Sequence, residues 1–180
     1  MLLNAEVWFN VLQKHIDDLE RMDNNLLRKV MDAPSKTPIV SLYLEMGCIP
    51  VRYLLKYKRI MYLHHILKLE ENHLVRKVFS AQEKKPSKDD WILQVTEDLE
   101  NLGLGHLEFN SIQALSKSRF KKIVKKALKE TVLEYLEGKR GTKSEKLSSD
   151  NLDLQDYLKS ERLTLNEKSC CLNCAAEWCQ

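Results

Sequence analysis

The sequence predicts an all-α protein, an irregular bundle of about five to seven helices followed by a disordered C-terminal tail. Three observations carry that expectation. Apolar residues recur at spacings of three, four and seven through most of residues 1–138. No segment alternates apolar and polar residues for long enough to argue a strand, and prolines and glycines fall where the helical patterns stop. No internal repeat at a fixed period is present.

Taken in order, residues 4–31 read as one long helix, with Val7, Val11, Leu12, Leu19, Met22, Leu26 and Val30 on its apolar side. Pro34 and Pro38 bracket the turn that must end it. Thr37 is a good N-cap and Pro38 a good first residue for a short helix, "PIVSLYLEM", which Gly47 closes. Pro50 opens a third helix to about residue 68, with Val51, Leu54, Leu55, the Lys58 stem, Tyr62 and Ile66 on one side and Arg52, Lys56 and Arg59 on the other. "NHLVRKVFSAQ" is a further short helix, and "EKKPSKDD" is the clearest interior break. A helix from Trp91 to Leu102 begins on an acidic turn and ends at Gly103. The longest later helix spans roughly 111–137, with Gly138 and Gly141 ending it. The organisation expected is a helical module over 1–138, a solvated linker over 139–150, a short helix over 151–160 and a cysteine-containing tail over 161–180.

A chain of 180 residues supports one ordinary core with a tail, and 29 basic against 26 acidic residues leave a formal charge of only +3. Net charge therefore decides little, and its distribution matters more. The start, "MLLNAEVWFN", has no basic region before its apolar residues, and no apolar run approaches the roughly 20 residues that span a bilayer. The expectation is an intracellular protein, cytoplasmic or nuclear, with no membrane partner. Cys48 stands alone and Cys170, Cys171, Cys174 and Cys179 crowd the last eleven residues, which is not the framework of a secreted disulfide domain.

The strongest chemical feature is "KSRFKKIVKKALK", residues 117–129, with seven cations and no acid. On a helix, Phe120, Ile123, Val124, Ala127 and Leu128 form an apolar stripe, while Lys121, Lys122, Lys125, Lys126 and Lys129 occupy the other side. Two readings fit that face, a nucleic-acid contact and a solvated surface. Arg52, Lys56, Lys58 and Arg59 form a second basic run with no acid between Glu45 and Glu70. Two such helices suggest a phosphate-facing groove, and Tyr43, Tyr53, Tyr57 and Tyr62 among them are either stacking surfaces for bases or core.

Signs of catalysis are missing from the pattern. His64 and His65 diverge by about 100° on a helix and cannot share one metal, and no His lies in a nucleophile context. Glu97, Asp98 and Glu100 read as an exposed helical face. The expectation is no catalytic residue and no cofactor, with zinc held by Cys170, Cys171, Cys174 and Cys179 as the one alternative, set against a tail of reduced thiols.

The order "DNNLLRKVMDAPSKTPIVSLYLEMGCIPVRYLLKYKRIMYLHHIL" resembles the segment after the polymerase core in non-LTR (LINE-type) retrotransposon reverse transcriptases. The resemblance rests on Leu26, Leu27, Arg28 and Lys29, then Ser35, Thr37 and Pro38, then Leu42, Tyr43, Glu45, Gly47 and Pro50, then Arg52, Arg59, Tyr62, Leu63, Ile66 and Leu67. It extends over roughly residues 20–160. It implies a helical thumb or thumb-adjacent region that grips template and primer, with RNA or an RNA–DNA duplex and the upstream reverse transcriptase domains as partners; self-association belongs to the competing reading as an interaction module. The family's catalytic aspartates lie in an upstream palm, so no enzymatic activity is implied here. The family continues into an arginine-rich segment and a Cys/His knuckle, whereas "NEKSCCLNCAAEWCQ" has no His, which reads as a truncated or degenerate copy. The cations implied as phosphate contacts are Arg52, Lys56, Arg59, Lys121, Lys122, Lys125, Lys126 and Lys129. The competing function is a helical protein-interaction module, with Leu133 and Leu136 on its docking stripe, or a retroelement fragment without function.

Overall fold

The computed structural model describes residues 4–8, 13–87, 90–139 and 152. Among them are seven α-helices, one 3-10 turn and no strand. The helices are α1 (Gln13–Val30), α2 (Ile39–Met46), α3 (Val51–Lys68), α4 (Leu74–Lys84), α5 (Trp91–Asn101), α6 (Phe109–Ala114) and α7 (Lys117–Gly138). No helix among the described residues is long and apolar enough to cross a membrane. The linker, short C-terminal helix and cysteine tail lie outside the described residues, apart from Lys139 and Leu152. The chain forms two compact units, one of Met1–Ile16 and Arg52–Thr131, the other of Asp17–Val51 and Val132–Gln180.

In the second unit, α2 is mostly apolar and buries Val40, Ser41, Leu42, Tyr43, Leu44 and Met46, the mark of a central helix. Gly47 ends it as the sequence predicts. Its φ of 61° lies in the left-handed region, and the amides of Gly47 and Cys48 return to the carbonyls of Leu44 and Tyr43 in a Schellman closure. Thr37 does not cap the helix. Its carbonyl instead accepts a bond from Arg28 Nη2 at 3.0 Å, and Pro38 occupies the capping position.

The apolar face expected of α1 is wrong in its start and its direction. Residues 5–7 form a 3-10 turn that ends at an extended Trp8, the helix is described from Gln13, and Met22 and Leu26 are exposed while Leu27 is buried. Polar residues turn inward instead. The Tyr43 hydroxyl donates to Asp23 Oδ2 at 2.8 Å, and the Asn24 amide lies 2.9 Å from the same hydroxyl. Burial pushes the Asp23 carboxyl up, with the Tyr43 bond opposing it, and pushes the Tyr43 phenol up strongly, with Asp23 adding to the effect.

Tyr43→Phe is expected to cost about 1.5–3 kcal/mol, the range for a hydrogen bond to a charged group. The folded state holds the phenol proton after the unfolded chain has released it, so Tyr43 lowers stability as pH rises past its ordinary value of 10.0. The variant should lack that alkaline loss. Urea unfolding at neutral pH and again above pH 10 reads both effects, and an unchanged midpoint with an unchanged pH slope would contradict them.

In the first unit, α3 buries Tyr53, Leu55, Ile60, Leu63, Ile66 and Leu67, an arc of about 160° around the helix. Five residues further along the chain, α4 is capped by His73, whose Nδ1 accepts from the Val75 amide at 3.3 Å. The break at Pro86 is held by Asp90, which accepts from the Ser87 amide at 2.5 Å and from Gln82 Nε2 at 3.3 Å. At the far end of α5, Gly103 has a φ of 68°, and the amides of Gly103 and Leu104 return to Glu100 and Leu99 in a second Schellman closure.

The long late helix is two helices. Leu115 is extended, and Ser116 Oγ accepts from the Arg119 amide at 3.3 Å, the geometry of an N-cap. His64, buried on α3, lies with Nε2 3.0 Å from the Leu115 carbonyl and stacks on Phe120 at 5.0 Å between ring centroids. A carbonyl is only an acceptor, so Nε2 carries the proton. The histidine thus pairs the carbonyl at the α6–α7 break.

Candidate nucleic-acid interface

Every fourth residue of α7 from Phe120 to Leu136 is buried: Phe120, Val124, Leu128, Val132 and Leu136. The series turns about 40° per step, so the buried line winds around the helix, which passes from the first unit to the second between Thr131 and Val132. Leu136 is therefore core and Leu133 is half-buried, which removes the docking stripe expected there.

The lysines lie around the other side. Lys122 and Lys126, both exposed, sit about 160° from Val124, and Lys121, Lys125 and Lys129 are half-buried along the flanks. Lys117 to Lys129 extend about 18 Å along the axis. Lys126 pairs with Glu130 at 3.9 Å, an exposed pair worth about 0.3–0.5 kcal/mol.

Charge order along α7 opposes the helix dipole. Of the seven cations over residues 117–129, Lys117 and Arg119 stand in the first turn, where the dipole is positive, and the others run on past the middle of the helix, while Glu134 and Glu137 follow near the end where it is negative. Each arrangement costs helix stability in isolation. An anion laid along residues 117–129 reverses the sign at the first end, because it meets the side-chain charges and the N-terminal dipole together.

Arg59, by contrast, is no surface cation. It is 5% exposed, its Nε donates to Asp98 Oδ2 at 2.5 Å, and its Nη1 lies 3.4 Å from the Trp8 carbonyl. Asp98 is 1% exposed, so the exposed acidic face expected over Glu97, Asp98 and Glu100 is corrected at its centre. Burial pushes the Asp98 carboxyl up, and the Arg59 bond and charge oppose it. Lys56 is half-buried with its Nζ 5.9 Å from the Tyr53 ring centroid. Burial pulls its ammonium down, and the charges of Asp98 and Glu97 offset part of that. Arg52 is half-buried as well.

Arg59 and Lys56 thus answer to acids of α5. The α7 side that meets α3 through Phe120 and His64 is the apolar one, so the exposed Lys122 and Lys126 lie on the other side of α7 from that contact. Tyr43 and Tyr53 are buried, and Tyr57 and Tyr62 are half-buried, with Tyr62 packed edge-on against Trp91 at 5.9 Å. The tyrosines are packing groups first.

The buried Arg59–Asp98 pair is the feature that the sequence reading missed. A signal was present: Arg59 lies four residues from both Leu55 and Leu63, and Asp98 lies between Val95 and Leu102 at helical spacing, so each charge stands within an apolar line. Among the described residues no group of three or more His, Cys, Asp or Glu side chains is placed to hold a metal ion. Cys170, Cys171, Cys174 and Cys179 lie outside the described residues. The sequence matches no family model, and comparisons with curated proteins and with solved structures likewise give no match.

Proposed function

We propose that the chain is a non-catalytic nucleic-acid-binding helical module whose α7 lysine face contacts the phosphate backbone of RNA or an RNA–DNA duplex. The observation that carries this reading is the run of seven cations with no acid over residues 117–129 of α7, which begins with Lys117 and Arg119 in the first turn, where the dipole also favours an anion. Lys121, Lys122, Lys125, Lys126 and Lys129 are the contacts, with Lys117 and Arg119 beside them. Such contacts position a nucleic acid without reading its sequence. Arg59 and Lys56 support the fold beneath this function.

The origin that fits is the thumb-adjacent region of a non-LTR retrotransposon reverse transcriptase. Support comes from where the motif residues fall: Pro38 immediately precedes α2, Gly47 closes it, and Pro50 immediately precedes α3. The test is fluorescence anisotropy of a labelled RNA–DNA template–primer duplex with the full chain. Binding is expected, and no binding at low salt would leave the lysine face a solvated surface.

A second reading, a protein-interaction module, has its own observation. Leu74 and Val78, one turn apart on α4, are 74% and 51% exposed. A sedimentation mass that rises with concentration, without any response to nucleic acid, would favour it.

A further inference from the structure

An open cleft of about 310 Å³ lies within the first unit, away from the lysines of α7 in sequence and in the elements that build it. Leu99 of α5, Leu107 of the connector and Phe109 of α6 give it an apolar lining. Thr96 also lines it, and its hydroxyl is spent on the Ile92 carbonyl at 2.8 Å. The Phe109 ring is held in a tilted, edge-type contact with Phe79, 5.5 Å between centroids.

Two carboxylates complete the lining, Glu83 from the last turn of α4 and Glu108 just before α6. Both residues are exposed, and among the described residues neither carboxylate has an ion pair or hydrogen bond. Its volume stands at the lower end of the range for small-ligand clefts. An apolar lining beside unpaired negative charge rejects anions and gains little from neutral alkanes. The complement is a cation on an apolar stem, since the stem covers Leu107 and Phe109, both half-buried, while the head meets the carboxylates.

We propose that this cleft binds an alkylguanidinium or alkylammonium group, with its stem on Leu107 and Phe109 and its charged head beside Glu83 and Glu108. The site is independent of the nucleic-acid reading. A guanidinium is the better fit of the two heads, because its planar fork meets carboxylates with more than one bond and also stacks on an aromatic face.

The test is an amide NMR titration of the full chain with n-butylguanidinium, using n-butanol and methylguanidinium as the stem-only and head-only controls. Saturable shifts are expected at the Gly105, Leu107 and Asn110 amides, which neither control reproduces at the same concentration. Glu83→Gln with Glu108→Gln, both on the surface, should weaken the response at least about fivefold while leaving distant amides in place. A linear, unsaturated response, an equal response to n-butanol or methylguanidinium, or an unchanged response in the double variant would overturn the proposal. A Gly-Arg-Gly peptide added in parallel separates the sources: tighter binding than n-butylguanidinium supports an arginine of a protein partner, and weaker binding supports a free small cation.

Discussion

Asp98→Ala is expected to lower the unfolding free energy by about 3–5 kcal/mol, the range for removing one partner of a buried ion pair. The cost arises because the Arg59 guanidinium, 5% exposed, would stay in the core without its carboxylate. Trp8 offers only a carbonyl at 3.4 Å in compensation. Urea unfolding should show a lower midpoint with an unchanged slope, since the surface exposed on unfolding barely changes. Replacing both partners with apolar residues, Arg59→Met with Asp98→Leu, should recover most of that loss, because the double change removes two desolvated charges at once. A single-variant loss below about 1 kcal/mol would mean that water reaches the pair and that its place in the core is overstated.

Reversing three lysines of α7, Lys122→Glu, Lys125→Glu and Lys126→Glu, should weaken binding to a template–primer duplex at least about tenfold and flatten the salt dependence by about three charges. Lys122 and Lys126 are exposed, and surface changes of this kind stay within about 0.5 kcal/mol each, so any larger change in stability comes from the half-buried Lys125 and is read separately by urea unfolding of the triple variant. The lost Lys126–Glu130 pair is a minor part of the balance. The same substitution at Arg59 would fail as a binding test, because it would strike the core. Binding that survives the triple reversal in a folded protein would assign the α7 face to solvent.

Local chemistry was legible where one residue type decides the backbone. Gly47 and Gly103 could be named as helix ends because a left-handed residue is needed there, and both adopt it, at 61° and 68°. Pro50 before α3 is of the same kind. The two units were not legible, since nothing in their order of residues marks a chain that leaves one unit at Ile16 and returns at Arg52. The face of α1 was misread because apolar periodicity gives no weight to Asp23, Asn24 and Arg28, which turn inward to meet Tyr43 and the Thr37 carbonyl.

The split between α6 and α7 was missed for a related reason. Residues from Phe109 to Gly138 keep a helical pattern across the break, and only Ser116 carries the stop, as an N-cap serine. For the candidate interface, the cations of residues 117–129 were plain from composition and spacing. The partition between surface and core was not: Arg59 and Lys56 look like Lys122 in sequence until α5 brings Asp98 against them.

The salt dependence of binding of the full chain to an RNA–DNA template–primer duplex tests the central claim most directly. Each phosphate neutralised by a lysine releases counterions, so five lysines acting together predict a logarithmic slope of about −4 or steeper. No measurable binding at low salt, or a slope shallower than about −1, would contradict a lysine face that tracks a phosphate backbone.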